Sequence, residues 1–195
     1  MPTRIASSLP VLDFTDWIFQ KPTRNEHYNN PNELGDVMAS LQNTEKNILL
    51  SIDLVRNEHL DYQSERPDYM NWIPFHLFLK TSECTVTFNP EVIQTFSMKE
   101  FKYFTSRLRD VCEVKFSNNF LEEPFEYISS ENLFELLIHE TKEADSVYVD
   151  LCFSLGSLTN GDVFGYNKGY RFDVSVKELF NFALELEKQL LNLEL

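Results

Sequence analysis

The chain has 195 residues, 43% of them hydrophobic, 14% aromatic and 25% charged, with a formal net charge of −14. That is enough apolar material for one compact domain or two closely packed halves, and too much for wholesale disorder. The negative excess argues against nucleic acid or an anionic membrane as a direct partner, because phosphates would be repelled, and favours a basic protein.

No apolar run reaches the length of a membrane span. The N-terminal stretch MPTRIASSLPVLDF has only a short apolar patch and no long core of the signal-peptide type, so the expectation is a cytoplasmic protein with no membrane partner. The three cysteines, Cys84, Cys112 and Cys152, are widely spaced and odd in number. They read as reduced, mostly buried thiols, and no Cys-x-x-Cys or Cys/His spacing suggests zinc.

Residues 1–46 read as an irregular N-terminal arm. Pro2, Pro10, Pro22 and Pro31 and the polar run Arg24–Asn32 favour loops. Asp13–Phe19 suits a short strand or turn that packs Trp17. Leu34, Val37, Met38 and Leu41 lie at helical spacing over 32–41, though Gly35 weakens a helix there. A single α+β domain is expected over 47–195, in two similar halves, 47–112 and 113–195. The first half offers strands at Asn47–Val55, Trp72–Lys80 and Glu83–Asn89, then a helix over Met98–Val111. Pro74 implies an edge position or a bulge. The second half offers short strands at Glu113–Phe116, Phe125–Ile128 and Leu133–His139, and a longer one at Ser146–Leu155 with Val147, Val149, Leu151 and Phe153 on one face. A loop holding Gly156, Gly161, Gly165 and Gly169 leads to a strand at Tyr170–Val176 and a C-terminal helix with Leu179, Phe182, Ala183, Leu186 and Leu190 on one side.

Both helices start alike. Ser97-x-x-Glu100 and Ser175-x-x-Glu178 are capping boxes, in which the serine hydroxyl takes the amide three residues on and the glutamate reaches back. Thr95–Leu108 aligns without a gap on Asp173–Leu186, with Ser97, Lys99, Glu100, Phe104 and Leu108 matching Ser175, Lys177, Glu178, Phe182 and Leu186. Duplication and the ordinary preference of strand-to-helix joints for such a box both account for this. The expected fold is α+β, with mostly antiparallel sheet or sheets in a duplicated β-β-β-α arrangement, each half closed by a helix.

Catalytic signatures are sparse. Gly156 to Gly161 has the first spacing of a phosphate loop, but Asp162 stands where its lysine belongs, so no nucleotide or other cofactor is expected. His27, His59, His76 and His139 are scattered, and neighbouring strand residues point to opposite faces, so neither Glu58-His59 nor His139-Glu140 chelates a metal. One enzymatic alternative remains. Glu113-x-Lys115 on a strand, with an upstream acid such as Asp68, is the layout of a metal-dependent hydrolase. An exposed ion pair at a strand edge is the better account, because E-x-K is common by chance, Asp68 is distant in sequence, and so acidic a chain lacks the basic groove that DNA demands.

The strongest feature is an acidic run. Glu122, Glu123, Glu126, Glu131, Glu135, Glu140, Glu143, Asp145 and Asp150 face a single base, Lys142. Phe120, Phe125, Tyr127 and Phe134 are interleaved with them. A solvated face explains the acids alone. Acids mixed with aromatic anchors also suit a docking surface that steers and holds a basic protein. The expected binding residues are Phe120, Glu122, Glu123, Phe125, Glu126, Tyr127, Glu131, Glu140, Glu143 and Asp145.

In layout and in three short patches the chain resembles the WapI-type immunity proteins of Gram-positive bacteria. The patches are Asn71-Trp72-Ile73-Pro74-Phe75-His76-Leu77, Val92–Leu108, and the closing strand, hairpin and helix of Val147–Leu193. The resemblance covers roughly residue 47 onward and carries no invariant catalytic motif. It implies a small acidic protein that neutralises the toxic domain of a polymorphic toxin by binding it, not by catalysis. A non-catalytic subunit of a larger assembly is the further alternative.

Overall fold

A computed structural model describes residues 38–55, 72–82, 85–87, 95–129, 134–154 and 167–194. Within them the first half forms β1 (Ala39–Gln42), β2 (Leu49–Leu54), β3 (Trp72–Lys80), β4 (Thr85–Thr87), β5 (Thr95–Ser97) and helix α1 (Met98–Phe116). The second half forms β6 (Phe125–Ile128), β7 (Phe134–Glu140), β8 (Ser146–Ser154), β9 (Asn167–Ser175) and helix α2 (Val176–Glu194). All pairing is antiparallel, in two sheets. The first runs β1-β2-β3-β4, with β5 also on β3; the second is the meander β6-β7-β8-β9. The α+β class and the antiparallel sheets are as expected.

Three expectations are corrected. The first sheet begins at Ala39, inside the stretch read as an irregular arm, and Ala39 to Leu41 is strand where a helix was expected; Ala39 pairs with Ile52 and Leu41 with Leu50. Residues 1–37 of that arm lie outside the described residues, as do 56–71 and 155–166. Glu113–Phe116 is not a strand but the last turn of α1. Leu108, Val111, Cys112 and Lys115 form one buried helical stripe, and no breaker intervenes before Ser117-Asn118-Asn119. Pro74 sits inside the first sheet, not at its edge: β3 is flanked by β2 and, on the other side, by β4 and β5. Pro74 pairs with Thr95 where the partner of β3 has changed from β4 to β5, a position at which the ladder is already interrupted.

Alternation works as the sequence implies. Ile73, Phe75, Leu77 and Leu79 of β3 are buried and Pro74, His76 and Phe78 are half-buried. Val147, Val149, Leu151 and Phe153 are buried on β8. Leu179, Phe182, Ala183, Leu186 and Leu190 form the buried side of α2. Both serine caps are present. Glu100 N–H donates to Ser97 Oγ at 3.1 Å and Ser97 N–H donates back to Glu100 Oε2 at 3.4 Å, while Glu178 N–H donates to Ser175 Oγ at 3.2 Å.

The helices do not simply close their own halves. On α1, Phe104 packs on β6 of the second sheet, 4.4 Å from the Tyr127 ring and 6.5 Å from Phe125, and Tyr127 Oη donates to Glu100 Oε1 at 2.5 Å. On α2, Glu185 Oε2 accepts the Ser40 N–H of β1 at 3.1 Å. Gln189 takes Leu54 N–H at 2.9 Å and gives its own N–H to Ile52 O at 3.2 Å. Each helix thus reaches the sheet of the other half. The sheets also touch directly, through Phe75 and Phe134 with ring centres 6.2 Å apart, and the turn between β1 and β2 meets β9 through Thr44 N–H donating to Asp173 O at 3.1 Å.

Candidate functional site

The acids and exposed aromatics gather where α1 ends, α2 begins, and the chain turns between β7 and β8. Helix α1 stops in a defined way. Asn118 has φ 56°, the left-handed conformation that asparagine tolerates better than most residues. Its N–H donates to Lys115 O at 2.9 Å, and Asn119 N–H reaches Val114 O at 3.1 Å. This is a Schellman ending, which satisfies carbonyls that the helix leaves open. Phe120 follows at once, 73% exposed. Phe116, on the last turn, is 54% exposed and stands edge-on to Phe180 of α2 with ring centres 5.5 Å apart. Glu122 and Glu123 follow Phe120 and are exposed.

Beneath this loop lies a lysine. The Lys115 side chain is 1% exposed and its ammonium is ion-paired with Glu140 Oε1 at the end of β7. The other carboxylate oxygen, Oε2, accepts the Leu121 N–H at 2.7 Å. Lys115 Nζ also lies 3.5 Å from Glu143 O in the next turn, where the Thr141 hydroxyl donates to the same carbonyl at 2.7 Å. Partial burial by itself would push the Glu140 carboxyl up; the Leu121 amide and the Lys115 ammonium outweigh it and hold the group below the usual carboxylate range. An uncompensated buried ammonium would be costly, so pair and loop depend on one another.

Of the ten expected binding residues, Phe120, Glu122, Glu123, Glu126, Glu143 and Asp145 are exposed. Phe125 and Tyr127 are buried against α1 and are not available to a partner. Burial first, and then the hydrogen bond to Glu100, push the Tyr127 hydroxyl far above the ordinary tyrosine value. Glu140 is committed to Lys115 and Leu121. Glu131 lies outside the described residues. Phe116 escaped the sequence reading because the strand assigned to Glu113–Phe116 hid it; its offset from the buried stripe of α1 was the available signal.

The enzymatic alternative loses its geometry. Glu113 and Lys115 lie on a helix, not on one side of a strand. Glu113 is exposed, 3.7 Å from Arg109, and Lys115 is enclosed. Among the described residues no three His, Cys, Asp or Glu side chains are grouped as a metal would need. On the outer face of the second sheet Asp150 receives Arg171 Nε at 2.5 Å and Nη2 at 2.6 Å, and His139 Nε2 lies 3.1 Å from Asp150 Oδ2. Arg171 holds the Asp150 carboxyl below its usual range. Burial pushes the Cys112 thiol up to about 12, so it stays protonated. Cys152 is half-buried and also raised by its burial, and Cys84 lies outside the described residues. No helix among the described residues is long and apolar enough to cross a membrane.

No family model matches the chain, and no curated protein does. Two of the solved structures that align with the chain, both at a low TM-score, are as follows. A structure of the plant transcriptional regulator PBF-2 has a TM-score of 0.38 at 8% identity, covering 80% of each chain. WHY3 from Arabidopsis thaliana has a TM-score of 0.38 at 10% identity, covering 80% of this chain and 86% of that one. The expectation that nucleic acid is excluded as a direct partner is withdrawn, since it rested on net charge alone. Its physical weakness is plain in α1: a net charge does not describe a surface, and Lys99, Lys102 and Arg107 lie exposed around Tyr103 on an otherwise acidic protein.

Proposed function

We propose that the chain is a cytoplasmic binding protein that neutralises a partner protein by covering its working surface, in the manner of an immunity protein. The observation that carries this reading is Phe120, three-quarters exposed, four residues after the exposed Phe116 and just before Glu122 and Glu123, on a loop fixed from beneath. Large exposed rings are unfavourable in water and are the usual anchors of a desolvated contact. The acids around them speed encounter with a partner of opposite charge and set its orientation. The docking surface is Phe116, Phe120, Glu122, Glu123, Glu143 and Asp145, with Glu126 at its margin. Occlusion requires no catalytic group.

The test is capture of partners from native lysate on the immobilised protein, with a salt ramp and a nuclease-treated arm. A protein held in both arms, released by salt and bound at least ten-fold more weakly by Phe120→Ala, supports the reading. Glu122→Lys, Glu123→Lys and Glu126→Lys together are expected to slow association. A captured protein that binds these variants as it binds the parent refutes this surface, and capture that vanishes with nuclease points to nucleic acid instead.

We also infer that the halves are copies of one β-meander-and-helix unit, with β4 and β5 standing for β9. Ser97, the end of β5, pairs with Trp72 at the start of β3; Ser175, the end of β9, pairs with Ser146 at the start of β8. Arg109 and Glu187 meet at 3.4 Å and are 78 residues apart, the separation of Ser97 from Ser175. Equivalent residues meet in this way near a twofold axis between copies.

A further inference from the structure

We propose that Lys115 is the positioning residue of the docking surface: from inside the protein it joins two separate loops into one rigid epitope. This rests on the surface proposed above. The exposed residues of that surface come from two segments, Phe116 to Glu123 on one side and Glu143 to Asp145 on the other, with β6 and β7 between them in the chain. Nothing on the surface needs to join them, because the connection runs underneath. Lys115 Nζ pairs with Glu140, whose second oxygen holds the Leu121 amide, and the same ammonium lies near the Glu143 carbonyl. Leu121 is the residue between Phe120 and Glu122, so its amide fixes the backbone from which both side chains project. The Thr141 hydroxyl braces the second turn through Glu143 O and through Ser146 O at 3.0 Å.

The chemistry suits a fixed spacer. A lysine reaches across the gap between helix end and strand end, and its enclosure leaves few alternative partners. The ion pair contributes no net charge to the outer surface, so its role is separable from electrostatic steering. A preorganised surface loses less conformational freedom on binding, which shows chiefly as slower dissociation.

The experiment is hydrogen exchange followed by mass spectrometry on the full chain, comparing the parent with Lys115→Met and with the double variant Lys115→Met/Glu140→Met. Apolar replacement of a whole buried pair is commonly tolerated, so the double variant is expected to fold with a similar Tm. Exchange across 117–124 and 141–145 is expected to rise at least ten-fold, while β8 and the buried side of α2 keep the protection of the parent. Equal protection of both loops in the folded double variant overturns the proposal, and so does a uniform rise that includes β8, which marks general destabilisation. Should neither lysine variant fold, Glu140→Gln applies the same comparison with Lys115 in place, and unchanged loop protection there overturns it equally. Exchange is read without any partner, so a failure to capture one leaves this result intact. Where a partner is captured, the double variant is expected to dissociate faster with little change in association rate, since the exposed charges are untouched.

Discussion

Gln189 is a buried polar side chain with two backbone partners on β2, Leu54 N–H and Ile52 O, and Leu54 lies beyond the last residue that β1 pairs. Its amide serves as a piece of strand. Replacing it by methionine keeps the volume and takes the acceptor from the buried Leu54 N–H, so a loss of about 1–3 kcal/mol is expected, read as a lower denaturant midpoint with an unchanged slope. Asp150 belongs to a different class. Arg171, the main cause of its lowered pKa, is exposed, so the pair is worth little and salt screens it. A carboxyl depressed in the folded state stabilises above the ordinary carboxylate range and loses that contribution as pH falls through its folded value. Asp150→Asn is therefore expected to lower Tm slightly at neutral pH, with the gap from the parent closing under acid, as a pH series of thermal melts will read.

The helix ends show which elements could be read in advance. S-x-x-E is a local signal, and both N-termini fall where it puts them, because capping depends on residues within one turn. Ser97→Ala and Ser175→Ala are each expected to cost about 0.5–2 kcal/mol, since each removes the hydroxyl that accepts the amide three residues on, while the backbone N–H of residue 97 and its bond to Glu100 remain. Denaturant melts of the two variants give the comparison. The C-terminus of α1 was misplaced because Glu-Val-Lys-Phe alternates as a strand does. What extends the helix is burial of Lys115 against Glu140, a contact across 25 residues that no local pattern announces. Phe125 and Tyr127 were misjudged for a related reason. Alternation in Phe-Glu-Tyr-Ile says that the rings share a face, and only α1 lying on β6 says that the face is covered. Asn118 offers a clean test of the ending: Asn118→Gly should be neutral or stabilising, while Asn118→Val, β-branched in a left-handed position, should cost about 1–2 kcal/mol by the same melts.

At the level of the molecule, the reading of a helix closing each half proved too simple. Both helices carry the expected apolar stripes, but a stripe does not say which sheet it meets. Because α1 serves the second sheet and α2 the first, neither half is complete alone. Thermal unfolding is expected as a single transition, coincident by circular dichroism and aromatic fluorescence. Segments 1–117 and 118–195, made separately, are expected to remain largely unfolded, and to regain structure when mixed. Two separable transitions, or a stably folded segment, would mean that the exchange of helices contributes little.

That exchange also sets a timetable. Leu54 is translated early, and the side chain that accepts its N–H follows 135 residues later. At the usual pace of synthesis the first sheet waits roughly ten to thirty seconds with part of an edge uncovered. During that interval the nascent chain exposes a site to which another strand can add, and a chaperone that shields such edges would act there. The last helix is thus more than a structural lid: its docking on β1 and β2 is the moment at which the first sheet becomes safe.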